Sequence, residues 1–439
     1  MKTLIPKILA VSIAACAVPL AAHATNGYFL PGFGAAAVGM GGVGVAFAQD
    51  SIAAAANPAG IVDVGSRADL GFGIFNPVRS AAVGTASSSG QDGGFGFNGT
   101  ADSSNRYYLM PSAGMTMAWD DKLTFGIALV GNGGMNTTYK PNIFDGGYGV
   151  ASKTVGVDLM QMLVPITAAY KLDEHNAVGA SIVLGAQRFA ARGLQTFGLF
   201  NISSDKAHLT NNGHDFAEGA GARVGWRGKF LDDNLTLGAT YASKVYMSKF
   251  GKYRGLFADG GSFDVPANYA LGIAVKATPK TTVAFDVERI LYADVPSIHN
   301  LGPGSPLGTG GIPVFATGYD RTKLLGKPDG MGFGWNNQTV YKLGVAYQYN
   351  DHWVLRAGYN YGKSPIPGDQ LTFNTLAPAT VERHATLGFT YSPNKLTEMT
   401  FAYLHAFSNK QSASNQNIVG GVDIQMYQND LEFNYAWKF

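Results

Sequence analysis

The chain has 439 residues and a formal net charge of +2, with 14% charged residues, 12% aromatic residues and 58 glycines. So low a charged fraction, against roughly 25% in soluble domains, and no long apolar run make a poor cytosolic enzyme and a good barrel wall, lipid outside and water or substrate inside. The near-neutral balance and the lack of a dense Lys/Arg patch exclude a nucleic-acid binder.

Met1 to Ala24 reads as a signal peptide. Lys2 and Lys7 form its positive start, Ile8 to Leu20 its apolar stretch, and Ala22-His23-Ala24 an A-x-A cleavage site. The mature chain is then expected to begin near Thr25. The apolar stretch is short for a spanning helix, and Ile13-Ala14-Ala15-Cys16 offers a competing lipoprotein box. Cys16 is the only cysteine, so the mature protein has no disulfide and no thiolate metal site. After Ala24 no apolar run reaches the roughly 18 residues of a transmembrane helix. Such an exported chain is periplasmic, secreted or a barrel.

Thr25 to Val64 is rich in Gly and Ala, lacks a sustained strand pattern and contains Asn57-Pro58-Ala59. Pro58 removes a backbone donor and disfavours helix just before it. Residues 25–64 are therefore expected to form a plug inside a barrel built from residues 65–439, where lumen side chains satisfy its backbone.

The strands show period-2 alternation, which gives one apolar and one polar or small face. Leu123–Tyr139 is one strand, interrupted by Gly131-Asn132-Gly133-Gly134. Leu271, Ile273 and Val275 mark another, and Val283, Phe285 and Val287 the next. Tyr341 to Tyr349, Trp353 to Tyr361 and Ala385 to Tyr391 follow. The chain ends on Leu431, Phe433, Tyr435, Trp437 and Phe439, alternating with Glu432, Asn434, Ala436 and Lys438. A strand closed by a terminal Phe resembles the signature that barrel-assembly machinery reads, with Tyr435, Trp437 and Phe439 as its residues.

Connections alternate in length. Short turns fall at Asp120-Asp121-Lys122, Asp173-Glu174-His175, Asp232-Asp233-Asn234, Thr278-Pro279-Lys280, Asn350-Asp351-His352 and Pro393-Asn394-Lys395. Longer Gly/Ser/Asn-rich loops span Arg79–Asn105, Pro141–Thr154, Gly193–Asp215, Lys249–Gly261, Asp294–Gly334, Lys363–Glu382 and Ser408–Gln425. Six turns and seven loops require fourteen strands, so the expected fold is all-β, a transmembrane antiparallel barrel.

Asn26-Gly27-Tyr28-Phe29, Gly39 to Ala46, Gln49-Asp50 and Asn57-Pro58-Ala59-Gly60 resemble the N-terminal hatch of the FadL/OmpP1/TodX family. Trp335 to Pro367, with Tyr341, Gly344, Tyr347, Trp353, Arg356, Gly358 and Ser364-Pro365, is similar to the family's later strands. The resemblance implies a monomeric fourteen-stranded outer-membrane channel, set in outer-membrane lipid and lipopolysaccharide, with no cofactor. Its ligand would be a hydrophobic small molecule, long-chain fatty acid first and aromatic or aliphatic hydrocarbon next. It would be caught in a groove among extracellular loops, passed to a pocket against the hatch, and released sideways through the wall at a kink in the third strand. Apolar lining assists this passage by roughly 0.8 kcal/mol per buried CH₂.

On that resemblance, the kink falls on Gly131, Asn132, Gly133 and Gly134, since clustered glycines weaken pairing. A bulge without function, or the strand's end, is the plainer reading. The groove draws on Leu194, Phe197, Leu199 and Phe200 in one loop and Phe250, Leu256 and Phe257 in another, which could equally pack only their own loops. Asn336 stands where some fatty-acid members carry Lys, and Asn lacks the charge a buried carboxylate wants. Arg188, Arg192 and Lys342 are the remaining candidates, against ordinary service as lumen or rim anchors.

Gly39-Met40-Gly41-Gly42-Val43-Gly44 satisfies G-x-G-x-x-G, but no preceding strand or following helix gives it a dinucleotide context. The mature histidines show no metal spacing. A barrel enzyme such as a lipase is the rival class, with His405 as its one candidate base and no G-x-S-x-G elbow.

Overall fold

The computed structural model describes residues 26–85, 97–303, 321–416 and 420–439; the expected signal peptide lies outside them. The main strands, in chain order, begin with β1 (Arg67–Thr85), β2 (Tyr108–Ala118), β3 (Leu123–Asn136), β4 (Gly156–Lys171) and β5 (Asn176–Arg192). Next come β6 (Asp215–Phe230), β7 (Leu235–Ala242), β8 (Asn268–Thr278) and β9 (Thr281–Ile290). The last five are β10 (Gln338–Gln348), β11 (Trp353–Gly362), β12 (Arg383–Asn394), β13 (Thr397–Gln416) and β14 (Gly420–Lys438). Each pairs antiparallel with its neighbours, and β14 pairs back onto β1 from Arg67↔Lys438 to Thr85↔Gly421. The fourteen strands thus close into a barrel. Two short strands, Gly99–Asp102 and Tyr246–Met247, pair onto β1 and β6 outside that ring.

Alternation separates the faces as the sequence demands. Leu70, Phe72 and Ile74 of β1 point outward and are exposed, as are Tyr341, Leu343 and Tyr347 of β10, while Val340, Lys342 and Ala346 are buried inside. No described helix is long and apolar enough to cross a membrane, and crossing here is by strands. Trp437 and Phe439 are exposed at the barrel's base, Tyr435 packs on Trp437 at 4.5 Å between ring centroids, and the Phe439 N–H donates to the Ser66 carbonyl.

Two expected loops are in part strand. β13 and β14 run through most of Ser408–Gln425, with Lys410↔Gln425 to Ala413↔Val422 still paired and a Lys410–Asp423 ion pair at 2.9 Å. β1 likewise continues through Thr85. Ser, Asn, Gln and Lys in these hairpins have loop composition, but ladder hydrogen bonds hold them in register above the apolar belt. Conversely, β3 stops at Asn136 rather than Tyr139.

The segment before β1 fills the lumen. It forms one helical turn (Ala35–Val38) and two 3₁₀ turns (Ser51–Ala55 and Pro58–Asp63). The Asp50 side chain caps the first 3₁₀ turn by accepting from the N–H groups of Ile52 and Ala53. Asn57 caps the second at Ala59, with Pro58 at its first position, where no N–H is needed. The Asn57 amide also donates to the carbonyls of Val45 (2.7 Å) and Trp226 (3.0 Å), tying plug to β6. Elsewhere the Gly41 N–H reaches Thr386 on β12, and Asp286 on β9 accepts from Gly44 and Val45 at 2.8 and 3.0 Å. Wall glycines let the plug come this close. A Cβ on Gly179, Gly225, Gly238 or Gly358 would stand 2.0–2.5 Å from Ala59, Asn57, Val45 or Gly41 respectively.

Candidate functional site

The wall is incomplete at one place. β2 and β3 pair only from Ala113↔Leu129 to Ala118↔Thr124. Beyond that, Tyr108–Ser112 keeps only its β1 partners, and the upper part of β3 keeps only β4, with a one-residue register shift between Gly131 and Gly133. The window is closed above by a Ser103↔Tyr139 bridge and by Arg79 and Tyr108, which donate to the Asn136 carbonyl and side-chain oxygen. Pro111, which has no N–H for a ladder, sits in the stretch of β2 that faces the window.

The start of the plug lies against this window from inside. Asn26 and Phe29 exchange backbone hydrogen bonds at 3.0 and 3.1 Å around a turn, Phe29 bridges to Gly133, and the Leu30 N–H donates to the Asn132 carbonyl at 3.1 Å. Gly27 holds φ +66 there, with the Tyr292 hydroxyl 2.3 Å from where a Cβ would stand. Tyr292 in turn accepts from the Tyr28 N–H and donates to the Asn26 carbonyl. The Tyr28 ring is enclosed by Phe29, Tyr292, Trp335 and Phe263, at 5.3 to 6.2 Å between centroids. Burial holds both the Tyr28 and Tyr292 hydroxyls well above the usual phenol range, so both stay neutral.

Above this nest the extracellular loops close over an apolar core. Leu194, Phe197, Phe250, Leu256 and Phe257 are buried in it, Phe200 packs at its edge, and Leu199 alone of the seven expected groove residues is exposed. In this structure the rings expected to line a groove are packed against one another. Phe197 meets Phe97, Phe144 and Phe373, and Phe250 and Phe257 meet Phe189. These partners come from loops and strands far apart in sequence, so no local signal announced them.

The charged candidates are placed differently from the expectation. Arg188 is buried and paired with Asp158 at 3.2 Å, and His214 holds the same carboxylate at 2.9 Å. That correction follows from register: Arg188 and Asp158 lie one row apart on β5 and β4 (Met160↔Arg188, Asp158↔Ala190) and neutralise each other. Lys342 is buried against Glu288 at 2.8 Å. Arg192 is exposed at the top of β5. Asn336 is exposed too, lining an extracellular cleft of about 510 Å³ with Asn300, Lys323 and Gln370. Within the plug, burial pushes the Asp50 carboxyl up to about 7, with Asp69 adding to the push and Arg67 opposing it.

His405 faces outward from β13, its Nδ1 at 2.9 Å from Asn429 Oδ1 and its ring against Phe407. Among the described residues no metal-binding group of three or more side chains converges.

A closed barrel with an apolar outer face, a lumen filled by its own N-terminal segment and an interrupted third strand defines a plugged outer-membrane channel. Residues 11–438 match the family described as outer membrane protein transport protein (OMPP1/FadL/TodX). The Pseudomonas putida toluene transporter TodX has a similar structure at 20% identity, covering 94% of this chain and 100% of that one, with a TM-score of 0.66. A Pseudomonas aeruginosa FadL homologue aligns at 15% identity over 94% and 100%, TM-score 0.67. The Ralstonia pickettii toluene transporter TbuX aligns at 19% over 93% and 99%, TM-score 0.62. At these identities the likeness is one of fold. No curated protein matches the chain by sequence. The chain belongs to the FadL/OmpP1/TodX family. It is a bacterial outer-membrane channel for hydrophobic compounds and not an enzyme.

Proposed function

We propose that this channel takes up neutral aromatic molecules, monoaromatic hydrocarbons foremost, in preference to the long-chain fatty acids that the sequence resemblance put first. The observation that carries this reading is the aromatic nest of Tyr28, Phe29, Phe263, Tyr292 and Trp335 beside the wall window. A carboxylate entering it would lose hydration, and Arg188 and Lys342, two of the cations the sequence offered for it, already hold Asp158 and Glu288. The solved relatives TodX and TbuX, described as toluene transporters, support the same choice.

In this reading the extracellular apolar core loosens to admit the ligand. The Asn26–Phe29 turn, the proposed moving part of a hatch that also includes Asn57, Pro58 and Ala59, yields. The ligand leaves sideways at Gly131–Gly134 into the outer-membrane lipid. Tyr435, Trp437 and Phe439 serve assembly. The test is uptake of labelled toluene and labelled oleate by cells lacking their own such channel, with and without this protein. Toluene uptake alone supports the reading; oleate uptake alone overturns it.

A further inference from the structure

We propose that Gln161 and Gln187, together with the space now filled by the Tyr28 ring, form a recognition subsite for a neutral aromatic ligand bearing one hydroxyl, a phenol in chemical terms. The proposal rests on the aromatic-uptake reading and adds the ligand's polar chemistry.

Gln161 on β4 and Gln187 on β5 stand directly opposite each other, each 1% exposed. The Gln187 amide nitrogen donates to the Phe263 carbonyl at 3.0 Å, and a carbonyl can only accept, so the orientation of that amide is fixed. Gln187 Oε1 is left as a buried acceptor without a partner. Gln161 Oε1 accepts from Asn132 at 3.0 Å, leaving Gln161 Nε2 as a buried donor without one. The Tyr28 hydroxyl lies beside the Gln161 amide but does not reach hydrogen-bond geometry, and is the third unpartnered atom. Native interiors seldom leave such groups unpaired, because the lost hydration is not returned.

Tyr28 itself indicates the shape of the missing partner. Its side chain is a para-alkylphenol, held among four aromatic rings with its hydroxyl beside the Gln161 amide. Its segment meets the wall through Leu30 N–H to Asn132, the Phe29–Gly133 bridge, and the Tyr292 hydroxyl, which binds the Tyr28 N–H and the Asn26 carbonyl. When the segment shifts and takes Phe29 with it, a free phenol can enter the space left among Phe263, Tyr292 and Trp335 and do what Tyr28 does not: donate to Gln187 Oε1 and accept from Gln161 Nε2. A hydroxyl supplies both roles, a methyl neither, and a carboxylate only accepts while bringing in charge.

The test compares p-cresol with p-xylene, which replaces the hydroxyl by a methyl at nearly the same shape, by calorimetry on the purified barrel in detergent micelles. Wild type should prefer p-cresol by roughly ten-fold, a ratio of the size a net hydrogen bond supplies. Gln161→Leu and Gln187→Leu should abolish the preference by weakening p-cresol alone, and Tyr28→Ala should tighten both ligands by vacating that space. Equal binding of the two by wild type, or an unchanged ratio in folded Gln161→Leu (amides that only hold water or pack), overturns the subsite while p-xylene binding still upholds aromatic uptake. Failure of both ligands to bind wild type and Tyr28→Ala overturns the subsite and the aromatic reading together. Heat-modifiable migration verifies that each variant folds, and the wild-type ratio decides even where a Leu variant does not.

Discussion

The Tyr28 carbonyl oxygen lies 1.5 Å from where a Cβ on Gly133 would stand, and Gly133 holds φ +145. Plug and wall therefore meet backbone to backbone at the one place where the wall is unpaired, and only glycine permits it. Gly133→Ala should displace the Asn26–Phe29 turn, because the collision adds to a backbone strain of about 1–3 kcal/mol. The other strand pairings are untouched, so the barrel should still assemble. Cys16 is the chain's only cysteine, so Asn26→Cys combined with Cys16→Ala offers a single thiol. Maleimide should label it slowly in the parent and quickly with Gly133→Ala; equal rates would show that the turn is not seated by Gly133.

The second expectation concerns pH. The Asp50 carboxyl sits at about 7 in the folded protein, against about 4 in an unfolded chain. The folded state thus binds the proton more tightly, and this contribution is complete below pH ~4 and is lost as pH rises through about 7. Asp50→Asn keeps a cap for Ile52 and Ala53 while removing the titration. Its thermal midpoint should rise relative to wild type between pH 5 and pH 8; parallel curves would count against a buried, proton-holding Asp50.

Arg188 gives a negative expectation. Because it already holds Asp158, Arg188→Gln should reduce oleate and toluene uptake by the same factor, leaving the ratio unchanged. A selective loss of oleate uptake would restore Arg188 as a carboxylate ligand.

The extracellular core separates packing from contact. Phe197 is fully buried among three other rings, so Phe197→Ala should cost ~3–5 kcal/mol locally. Its loops should become sensitive to added protease. Leu199 is 47% exposed, and Leu199→Ser should alter stability by no more than ~0.5 kcal/mol. Reduced toluene uptake in that variant would identify Leu199 as an early contact; unchanged uptake would remove it.

The strands were legible because period-2 alternation follows from backbone geometry alone, as in Leu431 to Phe439. The short turns were legible because Asp, Asn and Pro carry turn chemistry in place. Asn57-Pro58 stood out for a similar local reason, since both residues cap and start a 3₁₀ turn. What failed depended on distant partners. Nothing near Arg188 in sequence reveals Asp158, and nothing near Phe197 reveals Phe97 or Phe373. The glycines of Gly131–Gly134 mark weak pairing in the sequence, but only the structure shows that a side chain at Gly133 would strike Tyr28. Pro111 was the overlooked signal: a proline inside an amphipathic strand marks a place where one neighbour is missing.

The glycines that receive the plug have an electrical consequence. With Val45, Asn57 and Ala59 pressed against bare strand backbone, the plug should leave ions no continuous column of water through which to keep their hydration. In a planar bilayer this barrel should give no conductance steps, although its girth would suffice for an open pore. A bacterium could then carry many copies without leaking salts or small polar antibiotics, reserving the passage for molecules that dissolve in the wall itself.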